Sequence, residues 1–258
     1  MDLNLKDKVF VVGGVTSGFG KAIAIHLIKE GAKVIGIARG AEKIAAMVGD
    51  YPDHFVGISG DITSEKTFEA IEKSVNVCDL AGIVLNAGGP PATTALETTM
   101  DQWDEAYKQV FRWKVELINR LLPHMVKVGY GRILLVESYS VKQPVDKLVL
   151  SNSMRLAVVG YIKTLSKEVA TSGVTLNIMA PGFHSTPAAE RLVKKNSESK
   201  GISESAAEKE IVSGIPLAKM GDPEDFGSLA AWLLSPHSRY ITGQTISVDG
   251  GAVFGVMG

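Results

Sequence analysis

Gly13-Gly14-Val15-Thr16-Ser17-Gly18-Phe19-Gly20 lies directly behind an apolar run and ahead of a helical pattern. Glycines so placed have three physical uses. They allow a tight turn, let backbone N–H groups approach a phosphate, and let a helix pack closely on a sheet. The partial positive charge at the start of a helix adds attraction for an anion. Gly14, Gly18 and Gly20, with Thr16, Ser17 and Phe19 between them, therefore read as a cradle for the diphosphate of a dinucleotide. A bare strand–helix turn without a ligand is the plainer alternative. The flanking strand and amphipathic helix favour the cradle.

Elements of two kinds must hold that turn. Lys8 to Val12, Val34 to Ala38, His54 to Ser59, Gly82 to Leu85, Arg132 to Val136, Val174 to Met179 and Thr245 to Val248 are short runs of strand formers. Most lack polar alternation, as strands buried on both faces do. Helical patterns separate them: Phe19 to Glu30, Ser64 to Val75, Asp101 to Val128 and Leu148 to Thr171. This alternation predicts an α/β fold: a doubly wound parallel sheet of about seven strands in three layers, of Rossmann type, with right-handed crossovers. No linker or repeat divides the chain, so residues 1–258 read as one dinucleotide-binding domain. The Lys-, Glu- and Ser-rich stretch Leu192 to Glu210 interrupts the pattern and reads as a mobile helical insertion over the site, within a substrate loop spanning 183–215.

Composition excludes several classes. With 27 basic against 28 acidic side chains, the chain lacks the basic field that nucleic acid or anionic lipid demands. Its one cysteine, Cys78, rules out an internal disulfide framework or a multi-cysteine zinc site and reads as a small buried hydrophobe. No apolar run approaches the roughly 20 residues that span a bilayer. The first residues carry no signal-peptide pattern. A reduced, cytoplasmic setting is the expectation. His26, His54, His124, His184 and His237 are scattered without metal-ligand spacing, so no metal is expected.

The spacing Gly14-x3-Gly18-x-Gly20 resembles the T-G-x3-G-x-G signature of short-chain dehydrogenases/reductases, with Gly13 where the family usually has Thr. The resemblance runs along nearly the whole chain. Asn86-Ala87-Gly88 is similar to the family's N-N-A-G, with Leu85 in place of the first Asn. Asp61, followed by Ile62, looks like the position that contacts adenine. Pro181-Gly182, with His184 and Thr186 just beyond, looks like the segment that closes over the nicotinamide. Ile241-Thr242-Gly243-Gln244 and Val248-Asp249-Gly250-Gly251 match the family's C-terminal pattern. The branch most similar is that of the 3-oxoacyl-carrier-protein reductases. Such a resemblance implies a homotetramer acting on a small carbonyl or alcohol.

The residue after the second strand selects the nicotinamide cofactor. A carboxylate there accepts hydrogen bonds from the 2′-hydroxyl of NAD. This chain has Ala38 and then Arg39, whose planar donor fork suits a 2′-phosphate. NADP(H) is the expected cofactor.

In the resembled family the working set is Asn, Ser and a Tyr-x3-Lys pair. Ser138 matches the serine. The tyrosine position holds Ser151 and the lysine position Arg155, while the asparagine position falls at Val110. A serine hydroxyl is a far weaker acid than a phenol of pKa near 10, and it is shorter. Arg155 can grip ribose hydroxyls but will not release a proton at working pH. A positioned general acid is worth about 10²–10⁴ in rate. Tyr139 and Lys142, flanking the pocket, are alternative proton donors. Glu137 adjoins Ser138 and is a weaker candidate base, because strand alternation turns it to the opposite face, where it points away or pairs with a helix. Two readings stay open: an NADP(H)-dependent carbonyl reductase using Ser138, Ser151 and Arg155, or a catalytically silent NADP(H)-binding protein that acts through a partner.

Overall fold

The computed structural model describes residues 1–75 and 79–256. Cys78 lies outside the described residues. Seven parallel strands form one sheet in the order β3-β2-β1-β4-β5-β6-β7. They are β1 Val9–Gly13, β2 Lys33–Ala38, β3 Phe55–Ser59, β4 Leu80–Leu85, β5 Gly131–Val136, β6 Val174–Pro181 and β7 Thr245–Val248. Every residue of β1, β4, β5 and β6 is buried. That explains the unbroken apolar runs: helices cover both faces and no side chain needs to be polar.

Two apolar layers result. Phe68, Leu85, Trp113, Leu117, Leu135 and Ile162 belong to one, and Phe10, Ile23, Leu27, Leu134, Phe226 and Leu234 to the other. The first is covered by α3 Glu65–Val75, α5 Trp113–Val128 and α6 Val149–Glu168; the second by α1 Gly18–Lys29, α2 Ala41–Asp50 and α9 Pro223–Leu234. α4 Met100–Ala106, α7 Pro187–Lys200 and α8 Glu204–Val212 complete the set.

Two features depart from the sequence reading. α2 and α9 were not anticipated there, although α9 carries a plain start signal in its Asp222 cap followed by Pro223 at the first helical position. The stretch expected as one helix from Asp101 to Val128 is broken by a π-helical turn, Tyr107–Arg112, between α4 and α5. Leu192 to Glu210 is helical as expected, as two helices, α7 and α8, joined at 201–203 and each capped at its start by a hydroxyl, Thr186 and Ser203. Among the described residues no helix is long and apolar enough to cross a membrane.

The strand order reverses between β1 and β4. In open parallel sheets this switch point opens a crevice beyond the carboxyl ends of the strands, where ligands bind.

Candidate active site

The glycine turn leaves β1 at that crevice. Gly14 and Gly18 have φ of 70° and 54°, which favour glycine. A Cβ on Gly20 would stand 2.4 Å from the carbonyl oxygens of Gly13 and Gly14, so only glycine lets α1 approach β1 this closely. Ser17 precedes α1 but makes no side-chain cap, unlike Thr99, Thr186, Ser203 and Asp222 at their helices. The first turn of α1 thus keeps its N–H groups for another acceptor. Thr16 borders a cleft of about 370 Å³ shared with Lys21 and Lys43. The cradle fits a diphosphate on these grounds.

Asn86, just past β4, fastens the far wall by donating Nδ2–H to the Gly13 carbonyl at 3.2 Å. Ala87 packs partly against the core, while the space over Gly88 is open. Ile62 comes down on Gly13 from the end of β3. Asp61 accepts from the Thr63 backbone N–H and hydroxyl at 2.9 and 2.8 Å. Those hydrogen bonds, the backbone one foremost, hold its carboxyl below the usual range against a partial burial that opposes them, and the charge of exposed Arg39 adds to the effect.

Pro181 ends β6. Gly182 passes so close to Asp249 that a Cβ would meet its Cα at 2.9 Å. The Thr186 side chain lies against Gly18 while its hydroxyl caps α7. His184 is buried edge-on against Phe19 and Phe226, with ring centroids 5.0 and 5.6 Å away, and its Nδ1 is 3.2 Å from the Gly182 carbonyl. The histidine thus packs against the first turn of α1, two residues past the Pro181-Gly182 segment.

Ser138 follows β5 with its Oγ accepting from the Ser140 N–H at 3.1 Å. Ser151 and Arg155 sit one turn apart on α6, and Arg155 donates Nε–H to Ser151 Oγ at 3.0 Å. Its Nη1 donates to Glu137 Oε2 at 2.8 Å, and its Nη2 reaches within 3.0 Å of where a Cβ on Gly89 would stand. The Asn86–Gly89 loop and α6 are thereby brought to one place. Tyr139 stacks obliquely near Phe183 at 6.1 Å, and burial, reinforced by the Asp249 charge, pushes its phenol upward. That direction makes it a poorer acid than a free tyrosine.

Lys114 was missed by the sequence reading. It lies one turn beyond Val110, which is itself buried in the core, and it donates to Glu137 Oε1 at 2.5 Å. The available signal was Glu137, since a carboxylate ending an otherwise buried strand must find a partner. Among the described residues no cluster of His, Cys, Asp or Glu is arranged to hold a metal ion.

Residues 14–253 match the model of a family described as Enoyl-(Acyl carrier protein) reductase. The chain is 32% identical to the 3-oxoacyl-(acyl-carrier-protein) reductase FabG of Vibrio cholerae serotype O1, covering 96% of this chain and 98% of that protein. It is 28% identical to the NADPH-dependent reductase BacG of Bacillus subtilis over the same shares. Among solved structures, L-sorbose reductase from Gluconobacter frateurii complexed with NADPH and L-sorbose superposes with a TM-score of 0.93 at 25% identity, covering 99% of this chain and all of that one. With the reversed strand order, the glycine cradle and these full-length likenesses together, the chain belongs to the short-chain dehydrogenase/reductase family of oxidoreductases.

Proposed function

We propose that the protein is an NADPH-dependent reductase of a small carbonyl compound, with 3-oxoacyl thioesters the first class to examine. The contact that carries this reading is Arg155 Nε–H to Ser151 Oγ. Because Ser151 accepts there, its own proton is free to point away from Arg155. The guanidinium also polarises the hydroxyl.

NADPH would be held at its diphosphate by the turn from Gly14 to Gly20. Thr16, Ser17 and Phe19 belong to that turn; Arg39 suits the 2′-phosphate, and Asp61 with Ile62 the adenine side. Arg155, Asn86, Ala87 and Gly88 suit the ribose, and Pro181, Gly182 and Thr186 the nicotinamide. Relatives support NADPH: BacG is called an NADPH-dependent reductase and the sorbose reductase was crystallised with NADPH. When bound, the cofactor supplies a hydride to the carbonyl carbon. Ser138 and Ser151 orient the carbonyl oxygen, Arg155 stabilises the charge that develops there, and the proton that completes the alcohol comes from water by way of the Ser151 hydroxyl, which water reprotonates. The segment 183–215 shapes the substrate side. A cytoplasmic homotetramer is the expected working form, and the exposed Leu156 on α6 and Tyr107 in the π turn suit pairing between copies.

Without a phenolic acid, turnover should be slow by about 10²–10⁴ relative to a tyrosine-bearing site. The test is NADPH consumption by the purified chain with a panel of ketones and 3-oxoacyl thioesters, beside Ser151→Ala. Turnover that falls about 100-fold in the variant supports the reading. Tight NADPH binding with no turnover across the panel would instead support a silent nucleotide-binding protein. That second reading draws on Arg155, which does not release a proton at working pH.

A further inference from the structure

The Arg155 guanidinium does not meet Glu137 alone. Glu137 is fully buried and shared: Lys114 Nζ donates to Oε1 at 2.5 Å and Arg155 Nη1 to Oε2 at 2.8 Å. The Lys114 side chain is 4% exposed and that of Arg155 10%. Two cations and one carboxylate leave the cluster with one formal positive charge. Glu137 and Arg155 alone would be neutral, and a neutral buried pair is the cheaper arrangement. The extra charge is therefore something that Lys114 brings. It stands behind the one guanidinium nitrogen, Nη2, that points toward Gly89 in the crevice.

We propose that Lys114 fixes the charge of this cluster and thereby biases the site toward the reduced nicotinamide, whose ring is uncharged, over the oxidised one, whose ring is cationic. The inference rests on the reading that the nicotinamide end of NADP(H) sits beside Arg155. A positive cluster repels the oxidised ring, so the spent cofactor leaves more readily than the fresh one. Phosphate contacts are common to both redox states and cancel in the ratio of the two affinities.

The charge is also adjustable. Burial, ahead of any other influence, pushes the Lys114 ammonium below the ordinary lysine range; Glu137 opposes this and Arg155 adds to it. Among the described residues the charged groups facing it are Glu137 from the end of β5 and Arg155 from α6, with the Trp113 ring 5.6 Å from its nitrogen. Loss of the proton at alkaline pH makes the cluster neutral and relaxes the bias.

Isothermal titration of the full chain with NADPH and with NADP⁺, from about pH 7 to about pH 10, tests this. The ratio Kd(NADP⁺)/Kd(NADPH) should exceed one where Lys114 is protonated and fall about tenfold as pH rises through its titration, the scale expected for one elementary charge acting through protein. Lys114→Met should show the low ratio at every pH. Lys114→Arg, which keeps the charge and does not titrate in this range, should hold the high ratio into alkali. A wild-type ratio that is flat with pH overturns the proposal even if Lys114→Met fails to fold, and so does a Lys114→Met ratio equal to that of the wild type. If wild type binds neither nucleotide, the functional reading itself falls; if it binds both with a flat ratio, only this inference does.

Discussion

Arg155 Nη1 lies 2.8 Å from Glu137 Oε2, tying the helix that bears Ser151 to the residue directly before Ser138. The two serines that would meet a carbonyl oxygen are thus held through a single carboxylate. Removing it leaves two cations buried without a counter-charge. Glu137→Ala should cost about 3–5 kcal/mol of stability. Urea denaturation followed by circular dichroism measures it, and a cost under about 1 kcal/mol would show that the pair is not holding α6 to the sheet.

Arg39 is exposed at the end of β2 and acts on Asp61 through its charge. A guanidinium–phosphate contact contributes about 1.5–3 kcal/mol. Arg39→Ala should therefore weaken NADPH binding about 10- to 100-fold while leaving NADH nearly unchanged. Fluorescence titration with both nucleotides decides the matter. Equal losses for the two would remove Arg39 as the selecting residue.

Gly13 stands where the family usually has threonine, and the packing explains it. A Cβ there would meet Ile62 Cδ1 at 2.6 Å and the Asn86 carbonyl oxygen at 2.7 Å. The isoleucine tip can move, but the backbone oxygen cannot do so cheaply. Gly13→Thr, nominally a return to the family pattern, should destabilise the protein by about 1–3 kcal/mol. A thermal melt showing a gain in stability would contradict this account.

Burial is the main cause that pushes the His184 imidazole below its ordinary value; the Gly182 carbonyl and nearby carboxylates pull the other way. A histidine whose folded pKa is depressed stabilises the fold above its unfolded pKa of about 6.5, and that contribution is lost as pH falls from there toward the folded value. Unfolding free energy should therefore drop between pH 7 and mildly acidic pH. His184→Phe keeps the aromatic packing on Phe19 and Phe226 and should flatten that drop. An unchanged pH slope in the variant would place the acid sensitivity elsewhere.

Much of this is legible in the sequence. The strands were readable because residues buried on both faces leave an unbroken apolar signature, as in β5. Gly14, Gly18 and Gly20 were readable because backbone conformation and close approach admit little else. Arg155 against Ser151 followed from their one-turn spacing on a helix. Lys114 was not readable. Its role depends on meeting Glu137 from another element, and the helix pattern that would have placed it is interrupted. α2 was hidden for a different reason: only Ile44 and Met47 of its residues are buried, too few for a periodic stripe. The aromatic contacts of His184 were not readable, because Phe19 and Phe226 come from α1 and α9.

The π turn at Tyr107–Arg112 has a mechanical meaning. It takes up an additional residue without lengthening the path, which rotates everything after it by about 100° compared with an unbroken helix. It works like a gear tooth, setting the phase at which α5 meets β5. Wind the same residues as unbroken α-helix and Trp113 would still begin α5, but Lys114 would swing off Glu137 and strand an anion in oil. The winding of a stretch that includes solvent-facing Tyr107 is thus policed by an ion on the far side of the wall.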